Sequence, residues 1–297
     1  MSGTKSGPVV VGVDGSPSSG AATRWAADEA ARTHTTLRLV HAYLPVTPSA
    51  GMGMADSVDV ELVDLVADDA ARLVDEVRTA VAADHPDLPI EAITAVGSAS
   101  NVLREQADQA SLVVLGSRGR GGFLGLMLGS VSRQIAAHSA CPVVVVRGDG
   151  STAARRVVVG VDGSAPSRAA LGFGFAAASR RGWSLLALHA WEIPAYDPAV
   201  ATLPPATLDA AALADEELRL TAEVLAGWRE QFPDVEVEQR LVQSSAAGAI
   251  VDASADAGLV VVGSRGRGGF LGLVLGSVSH SVLHHAKCPV AVVRGAD

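Results

Sequence analysis

Positive charge is scarce in this chain, and lysine is nearly missing. Lys5 and Lys287 are the only lysines, arginine supplies the rest, and the formal net charge is −9. A broad basic surface for the phosphate backbone of a nucleic acid is therefore not expected. Aromatic residues are also few, at 4%. Cysteine is confined to Cys141 and Cys288, each just before a proline. Both read as small buried apolar residues at a strand entrance rather than as metal or catalytic thiols. No apolar run approaches the roughly 20 residues needed to cross a bilayer, so no membrane association is expected. The opening Met1-Ser-Gly-Thr-Lys-Ser-Gly-Pro8 lacks the apolar core of a secretory leader, and a cytoplasmic location follows as an expectation. With 48% hydrophobic and 19% charged residues, the composition is that of a globular chain.

What the chain has in abundance is repetition. The segment Gly116-Ser-Arg-Gly-Arg-Gly-Gly-Phe-Leu-Gly-Leu-Met-Leu-Gly-Ser-Val-Ser132 returns as Gly263 to Ser279, with Met127 against Val274 the one difference. Val11-Gly-Val-Asp-Gly-Ser16 returns as Val159 to Ser164, His41-Ala42 as His189-Ala190, and Cys141-Pro-Val as Cys288-Pro-Val. A spacing near 148 residues, as between Asp14 and Asp162, is too long for a solenoid and fits a whole domain. The expected organisation is one domain over 1–148, a small, polar linker over 149–154, and a second domain over 155–297.

Each copy alternates short apolar strands with helices. Val9 to Val13 reads as a strand buried on both faces. Ser16-Pro17 opens a helix to about Thr33, with serine as N-cap and proline in the first turn. Thr36 to Ala42 is a second strand, and Val58 to Ala83 a long amphipathic helix. Pro89 to Val96 and Leu112 to Leu115 are further strands, Ser98 to Gln109 and Ser130 to His138 further helices, and Pro142 to Val146 a last strand. The order βαβαβαβαβ predicts an α/β fold, a parallel sheet covered by helices on both faces, repeated from Arg156 to Arg294. In such a sheet ligands gather at the carboxyl ends of the strands. Asp14 and Gly116 lie at two such ends.

The glycine segment has the spacing Gly116-x2-Gly119-x9-Gly129-Ser130, repeated as Gly263-x2-Gly266-x9-Gly276-Ser277. Glycine lets backbone N–H groups approach an anion closely and adopt positive φ. Gly129-Ser130-Val131-Ser132 opens a helix whose free N–H groups favour phosphate. Arg118 and Arg120, with Arg265 and Arg267, can add charge-assisted contacts, and the Ser130 and Ser132 hydroxyls further hydrogen bonds. Gly121-Gly122-Phe123-Leu124 reads equally well as a mobile apolar flap. The P-loop pattern with its lysine is absent, and the first turn, Asp14-Gly15-Ser16-Pro17, is not a dinucleotide fingerprint.

These motifs together resemble the universal stress protein family, in its tandem, ATP-binding actinobacterial form, over nearly the whole chain. The resemblance implies two Rossmann-like domains of the adenine nucleotide α-hydrolase type, each a five-stranded parallel sheet of order 3-2-1-4-5. It implies ATP as ligand, possible with Mg²⁺, one per domain. Asp14 and Asp162 would lie near the ribose or a metal–phosphate group, with Gly12 and Gly160 beside them. The backbones of Ala42 and Ala190 would meet adenine. The phosphates would fall to Gly116, Gly119, Gly129 and Ser130, and to Gly263, Gly266, Gly276 and Ser277. The implied set runs along the loops through Ser117, Arg118, Arg120, Gly121, Gly122 and Val131, and through Ser264, Arg265, Arg267, Gly268, Gly269 and Val278. One departure is Ser244 where the first copy has Gly97.

No general base is evident at the loop, where the arginines are the only charged groups. His138, His284 and His285 sit toward the far end of the last helix and read as surface or capping residues. The expected role is therefore an ATP-binding regulatory or stress-response protein with little or no hydrolysis. An ATP-using hydrolase or transferase is the alternative. The resemblance also implies that the last strands, Val143 to Val146 and Ala291 to Val293, would be sheet edges, which tend to pair. The expectation is intrachain pairing of the two halves through them, and a homodimer of chains. Nothing in the sequence names a protein partner.

Overall fold

In the computed structural model the described residues are 7–44, 60–120, 127–148, 150, 153–192, 210–267 and 274–295. The chain divides into two compact units, Met1–Gly150 and Ser151–Asp297.

The first unit runs β1 (Val9–Gly12), α1 (Pro17–Thr33), β2 (Leu37–Tyr43), α2 (Val60–Asp84), β3 (Ile90–Val96), α3 (Ala99–Ala107), β4 (Leu112–Gly116), α4 (Ser130–His138) and β5 (Val143–Val146). Within it the strands lie in the order β3-β2-β1-β4-β5. Every pairing is parallel, with Val9 opposite both Leu37 and Leu112. The α/β fold and strand order expected from the sequence are thus present, and β1 and β4 are neighbours. Helices bury both faces. Val9, Val10 and Val11, Val113 and Val114, and all of Val143–Val146 are essentially inaccessible, each such side chain contributing about 1.5–3 kcal/mol of transfer free energy. A strand buried on both faces cannot alternate, so these strands read as continuous valine and leucine runs.

The second unit repeats the plan with β6 (Arg156–Gly160), α5 (Ala165–Arg181), β7 (Ser184–Trp191), α6 (Ala210–Gln231), β8 (Val237–Gln243), α7 (Ala246–Ala253), a 3-10 turn (Ser254–Asp256), β9 (Leu259–Gly263), α8 (Ser277–His285) and β10 (Val290–Val293). Its order is β10-β9-β6-β7-β8, again parallel.

The two units pack their long helices differently. In the second, Phe175 of α5 stacks against Trp228 and Phe232 at centroid distances of 6.0 and 5.7 Å. The corresponding residues of the first are Ala27, Val81 and His85. Helix α1 ends at His34 in the left-handed conformation (φ 51°), where α5 ends at Gly182 (φ 62°). His34 is the one non-glycine residue with positive φ among the described residues.

Candidate functional site

The carboxyl ends of β1 and β4 meet around one carboxylate. Beyond β1 the chain turns at Asp14-Gly15 into α1, whose N-cap is Ser16. The backbone N–H of Ser16 donates to Asp14 Oδ1 at 2.9 Å. Across the cleft, the N–H of Arg120 donates to Asp14 Oδ2, also at 2.9 Å. One side chain therefore ties the start of α1 to the glycine loop after β4. Burial pushes the Asp14 carboxyl up, but the hydrogen bonds from Ser16, Arg120 and Ser19 outweigh it and hold the group below the ordinary aspartate value. A carboxylate that accepts several N–H groups is stabilised in its charged form.

The second unit builds the same latch. Asp162 Oδ1 accepts from the Ser164 N–H at 2.9 Å and from its hydroxyl at 2.6 Å, and Oδ2 accepts from the Arg267 N–H at 3.1 Å.

This geometry explains the glycines, and it corrects one expectation. Gly116, Gly119 and Gly129 do not have positive φ, nor do Gly263, Gly266 and Gly276; Gly15 (φ 74°) and Gly163 (φ 78°) do. Left-handed backbone is thus needed at Gly15 and Gly163 of the aspartate turns rather than at these six glycines, because the chain must reverse there to present the Ser16 and Ser164 N–H groups. Gly119 and Gly266 are required for proximity. A Cβ on Gly266 would lie 2.5 Å from Asp162 Oδ2, and one on Gly119 would meet Asp14 Oδ2 well inside 3.0 Å. Gly116 and Gly263 let the ends of β4 and β9 pass the first turns of α1 and α5, since a Cβ would fall 2.7 Å from Ser18 O or 2.8 Å from Pro166 C. The space at Gly12 and Gly160 is filled from the core by Leu115 Cδ2 and Ile250 Cδ1, each 2.8 Å from such a Cβ.

Gly129 and Gly276 are the N-caps of α4 and α8, and they leave those helices open. Helices α1, α3, α5 and α7 begin with Ser16, Ser98, Ser164 and Ser245, whose hydroxyls accept a backbone N–H. By contrast α4 and α8 have no side-chain cap. Ser130 and Ser277 are exposed at the start of these helices, followed by the half-exposed Val131 and Val278. Ser132 is not available to a ligand as expected from the sequence. Its hydroxyl donates to Gly116 O at 2.7 Å, as Ser279 does to Gly263 O at 2.6 Å, stapling helix to strand. Ser117 and Ser264 are buried, while Arg118, Arg120 and Arg267 are exposed and Arg265 is half exposed. Arg120 folds back over the turn, its Nη2 2.5 Å from where a Gly15 Cβ would be, and Arg267 does so over Gly163 at 2.6 Å. Gly121, Gly122, Gly268 and Gly269 lie outside the described residues.

Two further participants carry little sequence signal. His41 Nδ1 lies 2.6 Å from Val13 O, and His189 Nδ1 2.6 Å from Val161 O. Each ring pins the backbone just before the aspartate, beside Ala42 or Ala190 on the same strand. The histidines stood in plain view as the His-Ala pair, yet only the strand register shows the ring reaching the neighbouring strand. The Gly97 departure is also structural: Gly97 has φ 148°, while Ser244 adopts no positive φ.

A doubly wound α/β unit, twice over, with a Gly-x2-Gly-x9-Gly-Ser loop facing an aspartate turn, defines the class. The model of the universal stress protein family matches residues 6–147 and again 153–294. A universal stress protein of Mycobacterium tuberculosis is 40% identical over 291 residues, covering 96% of each chain. One of Mycolicibacterium smegmatis is 37% identical over 294 residues, again covering 96% of each. Among solved structures, a universal stress protein from Archaeoglobus fulgidus superposes with a TM-score of 0.71 over 98% of this chain and 99% of its own, at 22% identity. The chain belongs to the universal stress protein family.

Proposed function

We propose that this chain is an ATP-binding regulatory protein of the stress response, with one nucleotide site in each unit and little or no hydrolysis. The observation that carries the reading is the pair of uncapped helix starts. Four described helices close their first turn with serine, and the two that follow the glycine loops do not. Free N–H groups at a helix start, together with its dipole, suit a phosphate. Gly119 and Gly266 let the loop close on Asp14 and Asp162, and the exposed Arg118 and Arg120 supply cationic partners for a polyphosphate chain. Ser130 and Ser277 each offer a hydroxyl there.

The donor set suits a nucleoside triphosphate better than a resident metal. Among the described residues no group of three or more histidine, cysteine, aspartate or glutamate side chains gathers to hold an ion. Mg²⁺ commonly arrives bound to the nucleotide phosphates and uses only one or two protein carboxylates, and Asp14 and Asp162 are the carboxylates in place. Each already accepts two or more N–H or O–H groups that fix it in place, and the Asp14 carboxyl is held below the ordinary aspartate value. That favours holding a nucleotide over activating water against it, since phosphoryl transfer needs a positioned nucleophile and charge stabilisation.

Mass spectrometry of nucleotide released from the native protein, with equilibrium dialysis, tests the reading. The expected result is two ATP per chain and no phosphate release under single-turnover conditions. Steady turnover would favour the hydrolase or transferase reading, and absence of any nucleotide binding would end both.

A further inference from the structure

The two sites differ at the histidine that pins the aspartate turn. In the second unit the buried His189 ring is held from both sides. Its Nδ1 faces Val161 O at 2.6 Å, and its Nε2 faces Glu217 Oε2 of α6 at 3.0 Å. In the first unit His41 makes the same bond to Val13 O. The residue of α2 that corresponds to Glu217 is Ala70, buried at 4% exposure, and no described carboxylate pairs with His41. The alignment is fixed by the shared Pro-Asp that follows each helix, Pro86-Asp87 and Pro233-Asp234.

A carbonyl oxygen only accepts, so Nδ1 must carry a proton in both rings. In a neutral ring Nε2 is then also an acceptor. Facing a carboxylate oxygen at 3.0 Å, it is attracted only when a further proton lies between them. With that proton the chain Val161–His189–Glu217 is continuous, and α6 is tied through the ring to the backbone that presents Asp162. The other charged groups near this turn are Asp162 itself, Arg168, whose Nη1 donates to Gly163 O at 2.6 Å, and Arg267, whose N–H donates to Asp162 Oδ2 and whose guanidinium lies over Gly163. The β8 residue in register with His189 is Leu241. Asp215, Glu216 and Arg219 of α6 and Asp252 of α7 are exposed.

We propose that Glu217 is a positioning residue of the second site, acting through His189, and that it makes nucleotide binding there proton-linked while the first site, with Ala70, lacks this linkage. The affinity part rests on the nucleotide function proposed above; the shared proton does not.

Two readouts test it. Without nucleotide, long-range ¹H–¹⁵N spectra of the histidine rings should show a slowly exchanging Nε2-bound proton on His189 that disappears in Glu217→Ala, and none on His41. Absence of that proton in the native protein, or its persistence in Glu217→Ala, overturns the proposal whatever the ligand proves to be. With ATP as probe, and Gly119→Ala used to weaken the first site so that the two are resolved, second-site affinity should fall about tenfold as rising pH removes the shared proton. Glu217→Ala should be about tenfold weaker throughout. Glu217→Gln distinguishes positioning from bulk: its amide N–H can donate to a neutral Nε2, so affinity should be retained and the pH profile flattened. A flat native profile, or Glu217→Gln behaving as Glu217→Ala, refutes the linkage. Failure to bind ATP at any pH would strike the proposed function and leave the ring spectra to judge the pair.

Discussion

Replacing Gly119 and Gly266 with alanine tests whether these loops work by proximity. Neither glycine has positive φ, so alanine meets no backbone strain, and any effect must come from the added methyl. That methyl would fall 2.5 Å from Asp162 Oδ2 in the second unit and comparably close to Asp14 Oδ2 in the first. Either the carboxylate turns away from the Arg120 or Arg267 N–H, or the loop retreats. Each route sacrifices a hydrogen bond to a charged acceptor, about 1.5–3 kcal/mol when buried and nearer 1 kcal/mol at this exposed place. Without ligand the loop can swing out, so the unfolding free energy should fall by no more than about 1 kcal/mol per site. With ligand the loop must return, and affinity should drop about 5–30-fold at the altered site. Titration calorimetry of each single variant should show one site weakened and the other intact. Gly129→Ala is the internal control for crowding, because its Cβ would meet nothing nearer than Ser117 O at 3.5 Å; its loop should keep the Asp14 latch. A double variant Gly119→Ala/Gly266→Ala that still takes up two nucleotides with native affinity would refute the placement of the ligand.

Three further outcomes follow from the same contacts. The Asp14 carboxyl is held below its ordinary value by Ser16, Arg120 and Ser19 against the opposing effect of burial. Its stabilising contribution is therefore complete above the unfolded value near 3.9 and is lost as pH falls through the lower folded value. Thermal melts of native protein and Asp14→Asn between about pH 5 and pH 2 should converge at the acid end. Gly15→Ala forces a methyl onto a residue at φ 74° beside Arg120 and should cost about 1–2 kcal/mol in denaturant unfolding of the first unit. His34→Gly relieves the left-handed C-cap of α1 (φ 51°) and should stabilise that unit by about 0.5–1 kcal/mol, read as a raised melting midpoint.

The fold was legible in the sequence for a physical reason. Strands such as Val143–Val146 are buried on both faces, so hydrophobicity marks them without regard to neighbours, and Ser16-Pro17 announces α1 by local cap chemistry. The site was legible only as far as local rules reach. Gly129-Ser130 declares a helix start by itself. Which glycine needs positive φ and which needs only closeness depends on where Asp14 points, and that is set by the pairing of β1 with β4, whose partners Val9 and Leu112 lie 103 residues apart in sequence. Ser132 shows the same limit: a hydroxyl in the first turn suits a phosphate equally well until Gly116 O is seen to take it.

Internal duplication sharpens this distinction between what a loop needs and what a site needs. The glycine loops differ at one position in seventeen, Met127 against Val274, and both keep the aspartate latch. Selection for packing alone would not hold them so alike, because the helices behind them have diverged to Ala27, Val81 and His85 on one side and Phe175, Trp228 and Phe232 on the other. Ala70 against Glu217 belongs to that diverged background, yet it reaches the site through a histidine that both units keep. Under the proposed function, a nucleotide held by the same kind of loop twice would thus meet two differently supported aspartate turns. In a chain of this kind, unequal response of the two sites to pH is the expected consequence of placing nearly identical loops on unlike scaffolds, and the ring spectrum of His189 set against that of His41 reports it directly.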